Sequence, residues 1–235
     1  MNLIPQAIRD GFVRFVSPIA QLFIRMHVRP NTITTIGTLV VVGSAVCFAL
    51  GQVRWGGFLL LLSGLFDILD GKVAREGGMA STFGAFFDST LDRVGEAALF
   101  GGIGLYFLRG GVPADRVVLA VSLAIVVLAA SLLVSYTRAR AEGLGLECKV
   151  GIAQRAERIL VLGVPTWIFG AGKNGALLFL IVAILALATT ITVVQRVIHV
   201  ARAARGERPT WSRPSPPRGT LAGHVAGLSR LRKGS

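Results

Sequence analysis

Four aspartates with regular spacing lie in an otherwise apolar part of this sequence. Asp67 and Asp70 are three residues apart, and Asp88 and Asp92 are four residues apart. On an α-helix, either spacing places both members of a pair on one face. Because both pairs flank the short segment 71–81, a helical hairpin would let the two pairs face each other. The spacing therefore predicts four carboxylates gathered in one partly desolvated place.

Four carboxylates in an apolar environment need compensating positive charge. An ionised carboxylate at membrane depth is costly unless it is paired or coordinates a metal. Mg²⁺, Mn²⁺ and Ca²⁺ prefer hard oxygen ligands, so the cluster predicts a site for divalent cations. Spacing alone leaves two alternatives open. The aspartates could pair with Arg75, Arg93 and Arg138 and hold a bundle together, or they could line an ion path.

The composition of the chain indicates a membrane protein. Of the 235 residues, 53% are hydrophobic and 16% are charged, whereas soluble domains carry about 25% charged residues. The 25 lysines and arginines exceed the 12 aspartates and glutamates, which gives a net charge of +13. With so little polar surface, this charge is expected at the ends of membrane spans. A basic patch for nucleic acid is excluded on the same ground.

Six apolar stretches approach or exceed the roughly 20 helical residues that cross a bilayer core. They run roughly over 31–50, 54–76, 82–108, 115–138, 156–171 and 174–198. Short connections containing Gly, Pro or Asp separate several of them, which indicates neighbouring helices in one bundle. The predicted fold is therefore all-α, a polytopic membrane helical bundle of six transmembrane helices.

Lysines and arginines concentrate at one end of these spans, the end that includes segment 71–81. The opposite end carries only Arg54, Arg109, Arg116 and Lys173. Cytoplasmic loops of membrane proteins carry an excess of basic residues. We therefore expect a multi-pass protein of the cell membrane whose termini and acidic site are cytoplasmic.

The predicted bundle is flanked by two segments of different composition. Residues 1–28 mix apolar side chains with arginines and lack a small-residue cleavage site, which predicts an amphipathic interfacial helix rather than a signal peptide. Residues 204–235 are rich in Arg, Pro, Ser and Gly, which predicts a basic, disordered cytoplasmic tail. The six-helix domain is therefore assigned to 29–203.

A longer pattern of residues surrounds the aspartates. It reads Asp67-x2-Asp70-Gly71-x2-Ala74-Arg75-x8-Gly84-x3-Asp88-x3-Asp92. This pattern resembles the defining motif of the CDP-alcohol phosphotransferase family, also called the CDP-alcohol phosphatidyltransferases, at every specified position. The resemblance covers roughly residues 10–200. It implies a membrane enzyme that transfers the phosphatidyl group of CDP-diacylglycerol to an alcohol and releases CMP.

The resemblance also implies roles for individual residues. Two divalent ions, Mg²⁺ or Mn²⁺, would be held by Asp67, Asp70, Asp88 and Asp92. Asp92 would also act as the catalytic general base toward the acceptor alcohol. The CDP-lipid would be bound by Asn31, Thr32, Ile33, Thr34, Gly71, Ala74, Arg75, Ser81 and Gly84. For Asn31, Thr34 and Ser81, helix N-capping is the alternative that the residue types leave open.

Arginines at the cytoplasmic ends of the last three spans bear on the acceptor. They are Arg138, Arg155, Arg158 and Arg196. Several guanidiniums facing one cavity suit a phosphate monoester, although the bias of basic residues toward the cytoplasm would also place arginines here. The arrangement resembles the phosphatidylinositol-phosphate synthase branch of the family, which implies inositol 3-phosphate as acceptor. Glycerol 3-phosphate, the acceptor of a phosphatidylglycerophosphate synthase, is the alternative, and a cation transporter is the alternative of a different class.

The third predicted span contains a stripe of small residues. It consists of Gly95, Gly101, Gly102 and Gly104. Such a stripe lets membrane helices approach closely. Related enzymes are homodimers, and the stripe is compatible with a homodimer, although packing within one chain explains it equally well.

Overall fold

A computed structural model describes residues 6–148 and 150–206, with side chains from residue 16 onward. The described part is all-helical, as predicted, and contains seven α-helices. They are α1 (Gln6–Arg25), α2 (Pro30–Ala49), α3 (Val53–Glu76), α4 (Thr82–Tyr106), α5 (Val117–Gly143), α6 (Arg155–Phe169) and α7 (Ala176–Ala204). The predicted disordered tail lies, from residue 207 onward, outside the described residues.

Helices α2 to α7 occupy the six stretches that the apolar pattern marked. By length and composition, three of them are able to cross a membrane: Pro30–Ala49, Ala114–Gly143 and Lys173–Ala204, the last two each including a short 3-10 turn. Helices α3 and α4 have 24 and 25 residues, which is long enough to cross a membrane, but they carry the charged residues of the acidic motif. Helix α6 is shorter, with 15 residues. The structure thus has three helices that are long and apolar enough to span a membrane, as expected for a membrane protein, and the count of six transmembrane helices stays a prediction.

Local sequence signals set the ends of the helices that surround the acidic motif. Helix α2 begins with Pro30, whose fixed φ suits the first helical position. Helix α3 ends before Gly77, and Gly78 adopts a φ of +66° that other residues rarely tolerate. Helix α4 then begins after Ser81, whose hydroxyl accepts a hydrogen bond from the backbone N–H of Gly84. The chain therefore reverses within five residues, and α3 and α4 form the predicted hairpin.

The helices pack in an order that brings α2, α5 and α6, as well as α1, to this hairpin. Helix α2 packs against both α3 and α4, α6 packs against α3, and α5 packs against α4 and α7. Close approach depends on glycine at two contacts. A Cβ on Gly102 of α4 would strike the Ala45 carbonyl of α2, and one on Gly57 of α3 would strike Thr166 of α6. These glycines allow α2 and α6 to lie directly against the helices that carry the motif.

Two apolar clusters hold the bundle together. The larger one fills the half of the bundle remote from the motif and includes Phe48, Leu60 and Phe107. The smaller one joins α1 to the motif end of the bundle through Val16 and Ala20 together with the three side chains Ile33, Leu69 and Val73. Helix α1 is thus packed against α3 near the acidic residues, and its position at a membrane interface stays a prediction.

Candidate active site

The four motif aspartates lie on both sides of the α3–α4 turn. Asp67 and Asp70 occupy the last three turns of α3, and Asp88 and Asp92 occupy the first three turns of α4. Asp70 is 5% exposed, and the side chains of Asp67 and Asp92 are 27% and 15% exposed. The structure therefore places the four carboxylates at the partly buried end of one hairpin, as their spacing predicted.

A cleft of about 230 Å³ opens beside two of these aspartates. Helix α2, the end of α3 and the start of α4 form its walls. Its lining residues are Pro30, Asn31, Thr34, Asp70, Gly71, Ala74, Arg75, Met79, Ala80, Ser81, Gly84, Ala85 and Asp88. Seven of the nine residues expected to bind the CDP-lipid are in this list, although they come from three separate segments of the chain.

The other two, Thr32 and Ile33, do not line the cleft. Ile33 is 2% exposed and packs with Leu69 and Val73 in the smaller apolar cluster. Thr32 is exposed on another face of α2. On a helix, four consecutive residues point in four directions, so only Asn31 and Thr34 of this run reach the cleft.

Two residues of the cleft have local structural partners. The Thr34 hydroxyl donates a hydrogen bond to Asp70 Oδ2 at 2.7 Å, and α2 is capped by Arg29 without a side-chain bond. Thr34 therefore orients a motif carboxylate across a helix interface instead of capping its own helix. The Ser81 hydroxyl accepts a hydrogen bond from Gly84 N at 3.0 Å. Ser81 therefore caps the N-terminus of α4, which was the alternative that its residue type left open.

Gly84 keeps the mouth of the cleft open. A Cβ at this position would lie 3.0 Å from Ser81 Oγ and 3.3 Å from Asn31 Oδ1. These separations are shorter than ordinary van der Waals contact, so a larger residue would push both polar side chains aside. The glycine thus serves the close approach of α2 and the α4 N-terminus around this cleft.

Arg155 joins the remaining two aspartates. It is the first residue of α6, and its Nη1 lies 2.6 Å from Asp67 Oδ2 and also contacts Asp92 Oδ1. One guanidinium therefore bridges carboxylates of α3 and α4. The predicted acceptor-phosphate ligand is thus placed at the acidic motif itself.

Arg158, one turn later on α6, makes a different contact. Its Nη2 forms a buried ion pair with Glu96 of α4, and its Nη1 donates to the Ala153 carbonyl at 2.9 Å. Both side chains of this pair are at most 7% exposed. Glu96 received no role from the sequence, although it lies four residues after Asp92 on the same helical face. That spacing was the feature of the sequence that could have linked Glu96 to the acidic motif.

The other two predicted acceptor ligands lie in separate surroundings. Arg138 forms an exposed ion pair with Glu142 on its own helix, at 2.9 Å. Arg196 is 4% exposed and donates to backbone carbonyls, to that of Val150 at 2.9 Å and to that of Val134. The structure therefore does not gather the four arginines around one open cavity. It brings Arg155 to the acidic motif and uses Arg196 to join α7 to α5 and the α5–α6 loop.

The acidic hairpin fits divalent cations by its donor chemistry. Among the described residues, no three His, Cys, Asp or Glu side chains already form a ligand set. However, all four motif side chains supply hard oxygen donors, and the guanidinium of Arg155 already provides positive charge between two of them. Asp67, Asp70, Asp88 and Asp92 are therefore the residues that would hold the metal.

The helical bundle and the acidic hairpin fit a membrane enzyme, and comparison with known proteins gives its family. The sequence profile of the CDP-alcohol phosphatidyltransferases matches residues 27–204. This chain therefore belongs to the CDP-alcohol phosphatidyltransferase family and is a transferase, which confirms the resemblance inferred from the motif.

Two similar proteins of known name are a phosphatidylinositol phosphate synthase and an archaetidylinositol phosphate synthase. The phosphatidylinositol phosphate synthase of Cutibacterium acnes is 42% identical over 203 residues, which are 83% of this chain and 96% of that protein. The archaetidylinositol phosphate synthase of Methanothermobacter thermautotrophicus is 38% identical over 192 residues, covering 80% of this chain and 89% of that protein.

Solved structures of one relative share the fold. The phosphatidylinositol phosphate synthase of Mycobacterium tuberculosis in complex with manganese and citrate matches with a TM-score of 0.72 and 30% identity, covering 88% of this chain and 98% of that one. Its structure with CDP-DAG bound matches with a TM-score of 0.69 and 33% identity, covering 80% and 94%.

Proposed function

We propose that this protein is a phospholipid synthase that transfers the phosphatidyl group of CDP-diacylglycerol to inositol 3-phosphate and releases CMP. The observation that carries the proposal is the complete eight-residue motif on one hairpin, beside a cleft lined by seven of the nine residues expected to bind the CDP-lipid. The names of its relatives support the choice of an inositol phosphate as acceptor.

The cleft between α2 and the hairpin is the proposed site for the CDP moiety. Asn31 offers an amide for hydrogen bonds to the nucleotide, and Arg75 offers a planar fork for a phosphate. Gly71 and Ala74 have little or no side chain, which leaves the surface of α3 open to a ligand. A membrane enzyme suits this donor because its acyl chains never need to leave the lipid.

Asp92 is the proposed general base. It would take the proton of the acceptor hydroxyl, whose oxygen then forms a bond to the phosphorus on the diacylglycerol side while the bond from that phosphorus to CMP breaks. Two divalent ions, held by Asp67, Asp70, Asp88 and Asp92, would supply charge neutralisation at the diphosphate. The burial of Asp92 and its contact with Arg155 support a carboxylate that is held in one orientation.

Arg155 is the strongest candidate for binding the acceptor phosphate. It adjoins both Asp67 and Asp92 and is 24% exposed, so its guanidinium can reach a ligand. Arg138, Arg158 and Arg196 remain in the proposal as supporting cations. The present partners of Arg158 and Arg196 favour a role in holding α4, the α5–α6 loop and α7 around Arg155.

The proposed membrane arrangement has six transmembrane helices, α2 to α7, with both termini and the acidic hairpin on the cytoplasmic side of the cell membrane. The bias of basic residues toward the hairpin end supports this orientation. Helix α1, within residues 1–28, would lie along the cytoplasmic interface. Residues 204–235 would form a basic tail after the catalytic domain 29–203.

A homodimer is also part of the proposal. One face of α4 exposes Phe86, Val94 and Leu105, which are 65%, 49% and 48% exposed. On the same face, a Cβ at Gly101 would meet no described atom within 4 Å. Gly102, in contrast, packs against α2. The glycine stripe therefore serves contacts within the chain and leaves a second, unpartnered side for another copy.

The test is a reaction with purified protein, CDP-diacylglycerol and Mn²⁺ or Mg²⁺. We expect CMP release with inositol 3-phosphate and little with glycerol 3-phosphate, inositol or serine. Release with glycerol 3-phosphate alone would overturn the acceptor assignment and retain the chemistry. Divalent ion flux in proteoliposomes without CMP release from any acceptor would instead indicate a cation transporter.

A further inference from the structure

The contact of Arg155 with the acidic motif has an unusual geometry for a residue expected to bind an acceptor phosphate. A single nitrogen, Nη1, contacts Oδ2 of Asp67 and Oδ1 of Asp92. These two carboxylates come from different helices of the hairpin, and Arg155 comes from a third. The guanidinium thus occupies the space between two of the four side chains that would hold metal.

A guanidinium and a divalent ion compete for that space. Both are attracted by the same carboxylates, and each repels the other strongly at short range in a partly desolvated site. The contacted oxygens of Asp67 and Asp92 are hard donors of the kind that divalent ions prefer. A divalent ion held between these two carboxylates would therefore displace the guanidinium.

The surroundings of Arg155 allow such a movement of the side chain alone. Arg158, on the same helix, is fixed by its buried pair with Glu96 and by its bond to the Ala153 carbonyl. Its side chain is 6% exposed, whereas that of Arg155 is 24% exposed. Helix α6 can therefore stay in place while the partly exposed Arg155 side chain changes rotamer.

We propose that Arg155 is an exchangeable counter-cation of the acidic centre. In the metal-free protein it neutralises Asp67 and Asp92 and keeps the hairpin folded. When divalent ions bind, it leaves these carboxylates and its guanidinium becomes free for an anionic ligand, the phosphate of the acceptor. This inference rests on the proposed function and adds an order of events to it, in which metal binding precedes binding of the acceptor phosphate by Arg155.

Thermodynamic linkage follows from this exchange. A phosphate that binds the released guanidinium stabilises the state in which metal is bound, and metal binding raises the affinity for phosphate by the same factor. Metal and acceptor therefore favour each other through one side chain. An arginine whose guanidinium lay away from these carboxylates would leave the affinity for metal nearly unchanged when it was removed.

The test measures Mn²⁺ binding by electron paramagnetic resonance on the purified full-length protein without lipid substrate. We expect Arg155→Gln to bind Mn²⁺ about tenfold more tightly than the wild type, within the usual range of coupling between sites. Inorganic phosphate should tighten Mn²⁺ binding to the wild type and leave that of Arg155→Gln unchanged. Arg116→Gln, an exposed arginine at the other end of the bundle, is the matched control and should behave as the wild type.

A second variant and a second measurement guard against a folding defect. In EDTA, Arg155→Gln should melt at a lower temperature than the wild type, and Mn²⁺ should restore most of the difference. Arg155→Lys retains the positive charge and should bind Mn²⁺ with an affinity between those of the wild type and Arg155→Gln. Equal or weaker Mn²⁺ binding by Arg155→Gln would overturn the exchange while leaving the proposed function intact. Absence of Mn²⁺ binding to every protein would overturn both.

Discussion

Asp92 is the motif residue on which the most contacts converge. Its carboxylate contacts Arg155 of α6, and its other oxygen lies 3.8 Å from Arg93. It is proposed both to complete the metal ligand set and to take a proton from the acceptor. These two demands require a carboxylate that is oriented and partly shielded from water, and its contact with Arg155 and its partial burial supply both.

Replacement of Asp92 by asparagine tests its proposed role as base. We expect Asp92→Asn to lower the rate of CMP release by at least about 10²-fold, because general-base catalysis contributes that much or more. Binding of CDP-diacylglycerol should be largely retained, since Asp92 does not line the cleft. Ser89→Ala is the control for a substitution on the same helix, because Ser89 is exposed and lies one turn earlier on α4. Unchanged turnover in Asp92→Asn would exclude it as the base.

Thr34 is a second residue with a testable role, because its hydroxyl lies 2.7 Å from Asp70 Oδ2 and 3.1 Å from the Pro30 carbonyl oxygen. Thr34→Val keeps the shape of the side chain and removes the donor to the buried carboxylate of Asp70. We expect the free energy of unfolding to fall by about 1–3 kcal/mol, the usual result of leaving a buried acceptor unsatisfied. Thr35→Val is the matched control, because Thr35 is exposed and bonds only within its own helix. Thermal melting in detergent measures both, and equal melting temperatures would contradict the assigned role.

At the scale of elements, the site depends on how α6 is held against the hairpin. The buried pair Glu96–Arg158 joins α4 to α6 one turn from Arg155 and Asp92. Arg93 adds a longer contact of 3.8 Å to the same glutamate. The pair thus sets the distance between the helix that carries the acceptor arginine and the helix that carries the base.

Replacing one partner of this pair should destabilise the bundle more than replacing both partners. We expect Glu96→Gln to destabilise the protein by about 3–5 kcal/mol, because Arg158 would remain buried without its counter-ion. The double variant Glu96→Met with Arg158→Met should recover much of that stability. Its KM for inositol 3-phosphate should nevertheless rise, since Arg155 is no longer held in place. Wild-type kinetics in the double variant would show that the pair only joins helices.

At the scale of the whole molecule, the distribution of charge supports the proposed orientation in the membrane. The hairpin end of the bundle is rich in arginine, and the other end carries few basic residues. Because positive loops of membrane proteins usually remain in the cytoplasm, we expect the hairpin end to be cytoplasmic. That orientation would place the donor cleft and the acidic centre where a water-soluble phosphate acceptor is available.

Labelling of single cysteines tests this orientation. In a background of Cys47→Ser and Cys148→Ser, we introduce Asp115→Cys before α5 and Leu144→Cys after it, both at exposed positions. A membrane-impermeant maleimide should label Asp115→Cys in intact spheroplasts and Leu144→Cys only in inverted vesicles. The reverse pattern would overturn the proposed orientation, and labelling of both from one side would overturn the spanning of α5.

The oligomeric state is the second property at this scale. Gly101→Trp places a large side chain on the exposed face of α4, where we expect it to separate two copies. Light scattering of the detergent-solubilised protein should then change from dimer to monomer. Val118→Trp, at a position 78% exposed on α5, is the control. A monomeric wild type would contradict the proposed dimer.

The sequence by itself determined which chemistry is present and which helices carry it. Apolar length marked the six helices α2 to α7, and the spacing of Asp67, Asp70, Asp88 and Asp92 predicted the hairpin that the structure has. Both depend on local periodicity, which one chain segment expresses alone. The number of membrane spans was less well determined, because the charges of α3 and α4 make their apolar signal weaker.

Only the tertiary structure decided how the arginines are used. The sequence grouped Arg138, Arg155, Arg158 and Arg196 by their similar depth, and the structure gives each a different partner. It likewise separated Asn31 and Thr34 from Ile33. Such contacts join residues distant in sequence, and they depend on which face each helix turns toward its neighbours. Spacing along one helix contains no information about that face, so the partners of these side chains emerge only when the bundle is packed.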